Sequence, residues 1–262
     1  MSYIKKAIRG IGIVFVMNII AYTVAYLTRL VLARSLGPKD YGLFYAVFTF
    51  VIFFLFFRDL GLNVALRKYI PEFKVFNKVK EINTAIITTL LLQLLGSGIF
   101  MILLYALSPY LTIYYFKDPA ALPILHVMIF YTLCSISFTL FKELFSGFQD
   151  FKWFSSIDTT KNTIVFILII VFLHFGLGPL SPAWAYVLAG IALWLIYLWP
   201  VLKLHKPSFS LEGIRPMSGL LLTFGIPVIL TDIGDKVISY IDTLMLTYFR
   251  SLAEVGIYNV VL

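Results

Sequence analysis

Apolar residues run along this chain in long unbroken stretches, separated by short connections with turn chemistry. Seven stretches are read at residues 10–33, 41–66, 84–107, 124–145, 160–175, 183–202 and 219–249, and an eighth begins near Gly256. Most match the roughly twenty residues a helix needs to cross a hydrocarbon core of about 30 Å. The dyad alternation of a membrane barrel is missing from them. The connections carry Gly37-Pro38, Ser108-Pro109, Asp118-Pro119, the segment from Gly176 to Pro182, and Lys206-Pro207. The expected fold is therefore all-α integral membrane: a polytopic helical bundle.

Composition agrees. Apolar residues make up 61% of the chain and charged residues 13%, with a mean hydropathy of +0.95. So few charges cannot cover a water-exposed surface. The N-terminal stretch after Lys5, Lys6 and Arg9 is too long for the apolar region of a signal peptide, so it reads as the first span. Cys134 is the only cysteine, which excludes an internal disulfide and a multi-cysteine metal site.

The net charge of +8 changes the picture only through its placement. The N-terminus and the loops after spans two, four and six hold fourteen basic residues, among them Arg67, Lys68, Lys142, Lys152, Lys161 and Lys203; the opposite loops hold only Arg34, Lys39, Lys117 and Arg250. This asymmetry predicts a multi-pass protein of the cell membrane with a cytoplasmic N-terminus. No compact basic domain remains to bind nucleic acid. Arg29, Arg58 and Lys236 are left inside spans, where an ionisable group marks a functional position by default.

A shift of 214 residues places Leu36 to Gly42 over Arg250 to Gly256, with Asp40 over Glu254 and Gly42 over Gly256. Span one carries Asn18, Tyr22, Tyr26 and Arg29 on one helical face. Span seven carries Asp232, Lys236, Ser239 and Thr243 as a matching stripe, with Asp235 and Asp242 at its edge. Two parallel repeats, related by an axis along the membrane normal, would turn such stripes toward a shared cavity. The division expected is a first six-helix lobe over residues 1–206 and the start of a second lobe over 207–262, ending inside its second helix.

The run Arg34-Ser35-Leu36-Gly37-Pro38-Lys39-Asp40-Tyr41-Gly42-Leu43, followed by Asp59-Leu60-Gly61-Leu62, resembles the first two helices of polysaccharide flippases. So do Phe148-Gln149-Asp150-Phe151-Lys152 and, for the second lobe, Phe224-Gly225-Ile226-Pro227 and Val255-Gly256-Ile257-Tyr258. These are the O-antigen and polysaccharide translocases of the multidrug/oligosaccharidyl-lipid/polysaccharide exporter superfamily. The resemblance implies a twelve- or fourteen-helix transporter, not an enzyme. Its two lobes would move a polyprenyl-linked (pyro)phosphate sugar between leaflets by alternating access. Glycan-assembly proteins are the partners it implies, and the superfamily can couple to Na⁺ or H⁺.

Under that reading Arg29 is the leading substrate-binding residue, because guanidinium matches phosphate bidentately. The alternative is that it snorkels to the outer interface. Asn18, Tyr22 and Tyr26 share its face, and Asp59 and Lys236 complete the substrate-binding set. Arg58 points away from Asp59 and snorkels near the cytoplasmic end. Asp232 and Lys236 are spaced to neutralise one another. Asp242 and Asp235 have no partner within their helix and are the ion-coupling candidates. No catalytic constellation, metal-ligand spacing or cofactor motif is visible; His126, His174 and His205 are scattered. A multidrug or cation antiporter of the same superfamily is the alternative, but it should carry a carboxylate on span one where this chain has Arg29. A membrane enzyme or assembly scaffold would need sizeable aqueous loops, and these are short.

Overall fold

The computed structural model describes residues 3–205 and 212–261, with side chains from Gly10 onward. Lys5, Lys6, Arg9 and the Lys206-Pro207 turn lie outside the described side chains. The described chain is helical throughout: α1 (Tyr3–Arg58), α2 (Leu62–Val75), α3 (Val79–Tyr110, continued by a π-helical turn over Leu111–Phe116), α4 (Ala121–Gly147), α5 (Phe151–His174), α6 (Leu180–Leu204), α7 (Ile214–Phe249) and α8 (Leu252–Val261). Six of these are long and apolar enough to cross a bilayer, and α1 has length for two crossings. The protein is a polytopic membrane bundle.

The 56 residues of α1 would extend about 84 Å if straight, nearly three hydrocarbon thicknesses. Gly37 interrupts the helix with φ 73° and ψ 168°, a conformation open to glycine alone. Pro38 enforces the break, because its ring disfavours helical geometry at the preceding residue. The two arms fold back on one another: Arg29 comes close to Tyr45, though sixteen residues of straight helix would hold them about 24 Å apart.

The second arm stops earlier than the apolar run to residue 66 suggests. Leu60 (φ 48°) and Gly61 (φ 70°) are left-handed, and α2 sets off in a new direction. It is amphipathic, burying Leu62, Ala65, Leu66, Ile70 and Phe73. Span five, expected from residue 160, begins at Phe151. The polar positions of its first turns hid it, and Asp150 caps it by accepting from the Trp153 amide at 3.4 Å. The Phe-Gln-Asp-Phe-Lys run is thus a helix start. In consequence Lys161, counted above as a loop residue, belongs to the helix; it lies 4.0 Å from Asp158, which also pairs with Lys142 at 2.5 Å.

The bundle is organised around α4, which meets α2, α3, α5, α6 and the second arm of α1. In lipid, apolar burial gives helices little reason to associate, so packing and internal hydrogen bonds must hold them. The Tyr197 hydroxyl lies 2.8 Å from Ser156 Oγ and 3.0 Å from Thr160 Oγ1, tying α6 to α5. On the first arm, the Met17 carbonyl accepts from Thr159 and the Ala21 carbonyl from Asn162. Arg67 grips Glu143 through two bonds of 2.7 Å, joining α2 to α4.

α8 crosses the second arm of α1 at van der Waals limits. A Cβ at Gly42 would stand 1.8 Å from the Leu252 carbonyl oxygen, and one at Gly256 2.0 Å from that of Pro38. Pro38 and Leu252 are themselves partners under the 214-residue shift, as are the two glycines. The contact is therefore reciprocal, as a local twofold demands. Replacing Gly42 by Val should cost about 1–3 kcal/mol through forced separation of the helices. Gly98→Val, facing open space, should be nearly silent. Thermal unfolding of the detergent-solubilised protein compares the two.

Candidate functional site

The first arm of α1 divides its polar stripe among three settings. Asn18 lines a groove of about 570 Å³ with Gly10, Ile11, Val14, Phe15, Phe151 and Phe154. Tyr22 and Tyr26 are exposed, 71% and 60% of their surface remaining accessible. Arg29 is half-buried and does not stretch freely toward an interface. It lies close to Tyr45, with Tyr41 and Tyr186 near by. Tyr41 and Tyr45 pack with ring centroids 4.6 Å apart, and Tyr131 meets Tyr186 edge-on at 5.8 Å. Tyr41, Tyr45 and Tyr131 are buried, so these rings pack chiefly against one another.

Arg58 is buried and does not snorkel. Its Nη1 donates to the Thr132 carbonyl at 2.5 Å and to Ser135 Oγ at 3.0 Å, fastening α1 to α4. Asp59 turns the other way, toward α3, where Gln93 Nε2 donates to Asp59 Oδ1 at 2.8 Å and to Asn63 Oδ1 at 3.0 Å. Arg29 and Asp59 therefore belong to separate polar centres. Tyr186 and Gln93 were missed by sequence reasoning. A signal for Gln93 existed, since Thr89, Gln93 and Ser97 recur one turn apart within an otherwise apolar run.

On α7 the expected Asp232–Lys236 pair is not formed; the ammonium instead lies 5.8 Å from the centre of the Phe56 ring. Asp242 finds a partner outside its helix, accepting from the Tyr258 hydroxyl of α8 at 2.9 Å. Asp235 is exposed. Toward its two ends α7 buries Met217, Leu221 and Gly225, and Thr243 and Thr247. It docks against the earlier helices at these ends. Gly61 and Gly225 meet backbone to backbone, Tyr115 donates to the Leu244 carbonyl at 2.9 Å, and Lys117 to that of Tyr248 at 2.7 Å.

One ion pair closes the hairpin ends nearby: Lys39 Nζ lies 2.9 Å from Asp118 Oδ2. The Lys39 hydrogen bond holds the Asp118 carboxyl below its ordinary range, helped by the Ala120 amide and, least, by the Lys39 charge. A depressed carboxylate stabilises above its unfolded value and loses that contribution as pH falls through the folded one.

Membership follows from comparison. The family described as "Polysaccharide biosynthesis protein" matches residues 7–261, nearly the whole chain, and the chain belongs to it. Among curated proteins, an uncharacterized membrane protein of Methanocaldococcus jannaschii is 29% identical over 274 residues, covering 99% of this chain and 54% of that relative. The chain thus spans about half the length of the relative it matches. No solved structure matches it.

Two outcomes test this geometry. Arg58→Leu should lower stability by about 2–4 kcal/mol, because it removes two buried charge-assisted bonds and leaves Ser135 and the Thr132 carbonyl without that donor. Chemical unfolding in detergent reads the loss. Stability should also fall on acidification below about pH 4, and Asp118→Asn should flatten the part of that fall due to the Lys39 pair.

Proposed function

We propose that this chain carries the first lobe, and the start of the second, of a flippase that translocates a lipid-linked sugar or oligosaccharide for glycan biosynthesis. The observation that carries the reading is Arg29, a permanent cation held among tyrosines on a spanning helix, in a member of a polysaccharide-biosynthesis family. A polyprenyl-linked sugar presents a phosphate or pyrophosphate at the membrane surface and hydroxyls beyond it. Guanidinium takes the phosphate in paired hydrogen bonds, and tyrosine rings and hydroxyls suit the sugar. Tyr22, Tyr26 and Asn18 extend the same arm with further polar contacts, and Lys236 adds a second cation on α7. Asp59 is reassigned below.

Alternating access is the transport mode, with the N-terminus in the cytoplasm and the protein in the cell membrane. The reciprocal Gly42/Gly256 crossing is a natural fulcrum, because it joins equivalent segments of the two repeats. Asp242 and Asp235 remain the coupling candidates of the second lobe. The chemistry is transport rather than catalysis: binding, exclusion and rocking. A cation exporter is disfavoured by the guanidinium on the first arm, which repels cations.

Arg29→Ala, introduced into the intact protein, should abolish complementation of a flippase-deficient strain at unchanged membrane abundance. Arg29→Lys should retain only part of it, since a point charge replaces a fork. Full complementation by the alanine variant would remove Arg29 from substrate binding. Export of cationic dyes, with lipid-linked sugar left unmoved, would replace the flippase by the antiporter.

A further inference from the structure

The break between α1 and α2 faces α3 across a polar seam inside the bundle. Gln93 packs against Asp59, and the next turn brings Gly96 against Arg58, where a Cβ would lie 3.4 Å from the Arg58 carbonyl oxygen. Ser97 follows on the same side of α3, four residues beyond Gln93. Gln93, Ser97, Thr88 and Thr89 are all fully buried.

The hydrogen bonds of this seam do not close. The Gln93 amide spends both of its protons on Asp59 and Asn63, which fixes its orientation and leaves Oε1 without a partner. Ser97 Oγ, Thr88 Oγ1 and Thr89 Oγ1 are also unpartnered. A buried polar atom left unpaired costs about 1–3 kcal/mol, and such atoms in native structures call for a reason. Four on one helix, with Gln93 beside a carboxylate, are more than chance polar residues would leave in an apolar run.

The oxygens share one chemistry. Asp59 supplies a single formal negative charge, and Asn63, Gln93 and Ser97 supply neutral amide and hydroxyl oxygens. One charge with neutral oxygen donors suits a hard monovalent cation better than a divalent one, which collects several carboxylates. The surrounding charges leave that role to Asp59. Glu143 is bound twice to Arg67, and the Arg58 guanidinium donates to α4 through Nη1, its Nε being buried without a partner. Interrupted helices with exposed carbonyls are also where membrane transporters seat coupling ions.

We propose that Asp59, Asn63, Gln93 and Ser97 form a binding site for a monovalent cation of the Na⁺ class within the first lobe, at the α1–α2 break. Asp59 and Asn63 contribute the lone pairs not engaged by the Gln93 amide, and Gln93 Oε1 and Ser97 Oγ gain the partner they lack. Because the site joins α1, α2 and α3, its occupancy stiffens the break beside Gly61, which touches Gly225 of α7. The site stands apart from Arg29, so the proposal holds whatever the protein carries.

The test is thermal unfolding of the intact protein in lipid nanodiscs, exchanging NaCl for choline chloride at constant ionic strength and pH. Sodium should raise the wild-type midpoint saturably, as ligand linkage requires. Asp59→Asn still accepts from Gln93, so it should fold but lose the response. Ser97→Ala removes a buried oxygen that makes no hydrogen bond, so it should be at least as stable as wild type in choline. Its half-saturating sodium concentration should nonetheless rise about tenfold. A wild-type midpoint equal in sodium and choline would overturn the proposal, leaving buried water as the partner of Gln93 and Ser97. A midpoint that moves with pH alone would make Asp59 a proton site, and it too would overturn the cation. An undiminished response in Asp59→Asn would place any bound sodium elsewhere. No transport substrate enters the assay, so failure of the flippase reading would leave its result untouched.

Discussion

The close crossing of the second α1 arm over α8 governs the rest of the molecule. Each helix accepts the other's backbone only because a glycine stands where its partner's carbonyl arrives, Gly42 at Leu252 and Gly256 at Pro38. Such approaches permit Cα–H to carbonyl contacts and dense packing, which are the available currency of association in lipid. The crossing also explains why the break at Gly37-Pro38 must be sharp. The first arm has to turn away within a residue of the crossing, and an ordinary helix would run straight through it. That turn in turn delivers Arg29 to Tyr45.

A second constraint shapes everything below the crossing. Within a bilayer each buried polar group needs a protein partner, because water is absent. Most here comply: Arg58 with Thr132 and Ser135, Arg67 with Glu143, and Tyr197 with Ser156 and Thr160. These bonds run between helices, so they fix which helices are neighbours as well as how tightly they pack. Against that background Arg58 Nε and Ser181 Oγ are isolated exceptions, whereas α3 gathers four unpartnered oxygens, and such clusters mark functional sites.

Hydropathy made the fold legible because a bilayer imposes one rule on every span, and the long apolar runs obey it. Boundaries failed where polarity and helicity part company. Residues 151–159 are helical yet mix polar with apolar positions, because their hydroxyls bond to α1 and α6. Residues 59–61 are apolar enough to pass as helix, yet two left-handed positions break it. Site residues were legible by type and not by partner. Periodicity put Asn18, Tyr22, Tyr26 and Arg29 on one face, but no pattern says that Tyr45 and Tyr186 close around Arg29 alone. The i,i+4 spacing of Asp232 and Lys236 is a local preference worth about half a kcal/mol or less. Packing of Lys236 against Phe56 overrides it.

The surface of α7 then bears on what lies beside it. Its two ends are buried against the earlier helices through Met217, Leu221, Gly225, Thr243 and Thr247. The stretch between them has a side that exposes Asp235, Ser239 and Asp242. Hydrocarbon cannot solvate two carboxylates on a spanning helix, and by any scale the penalty amounts to several kcal/mol each. That side must therefore face water or polar protein, not lipid. The same reasoning applies more weakly to Tyr22 and Tyr26, whose hydroxyls tolerate an interface but not the bilayer centre. Two equivalent helices, each carrying polar side chains along its exposed part, are what a lined pathway requires. Repetition supplies this directly: once the α1 arm carries a polar side, a second copy turned about an axis through the glycine crossing brings its own polar side to the same pathway.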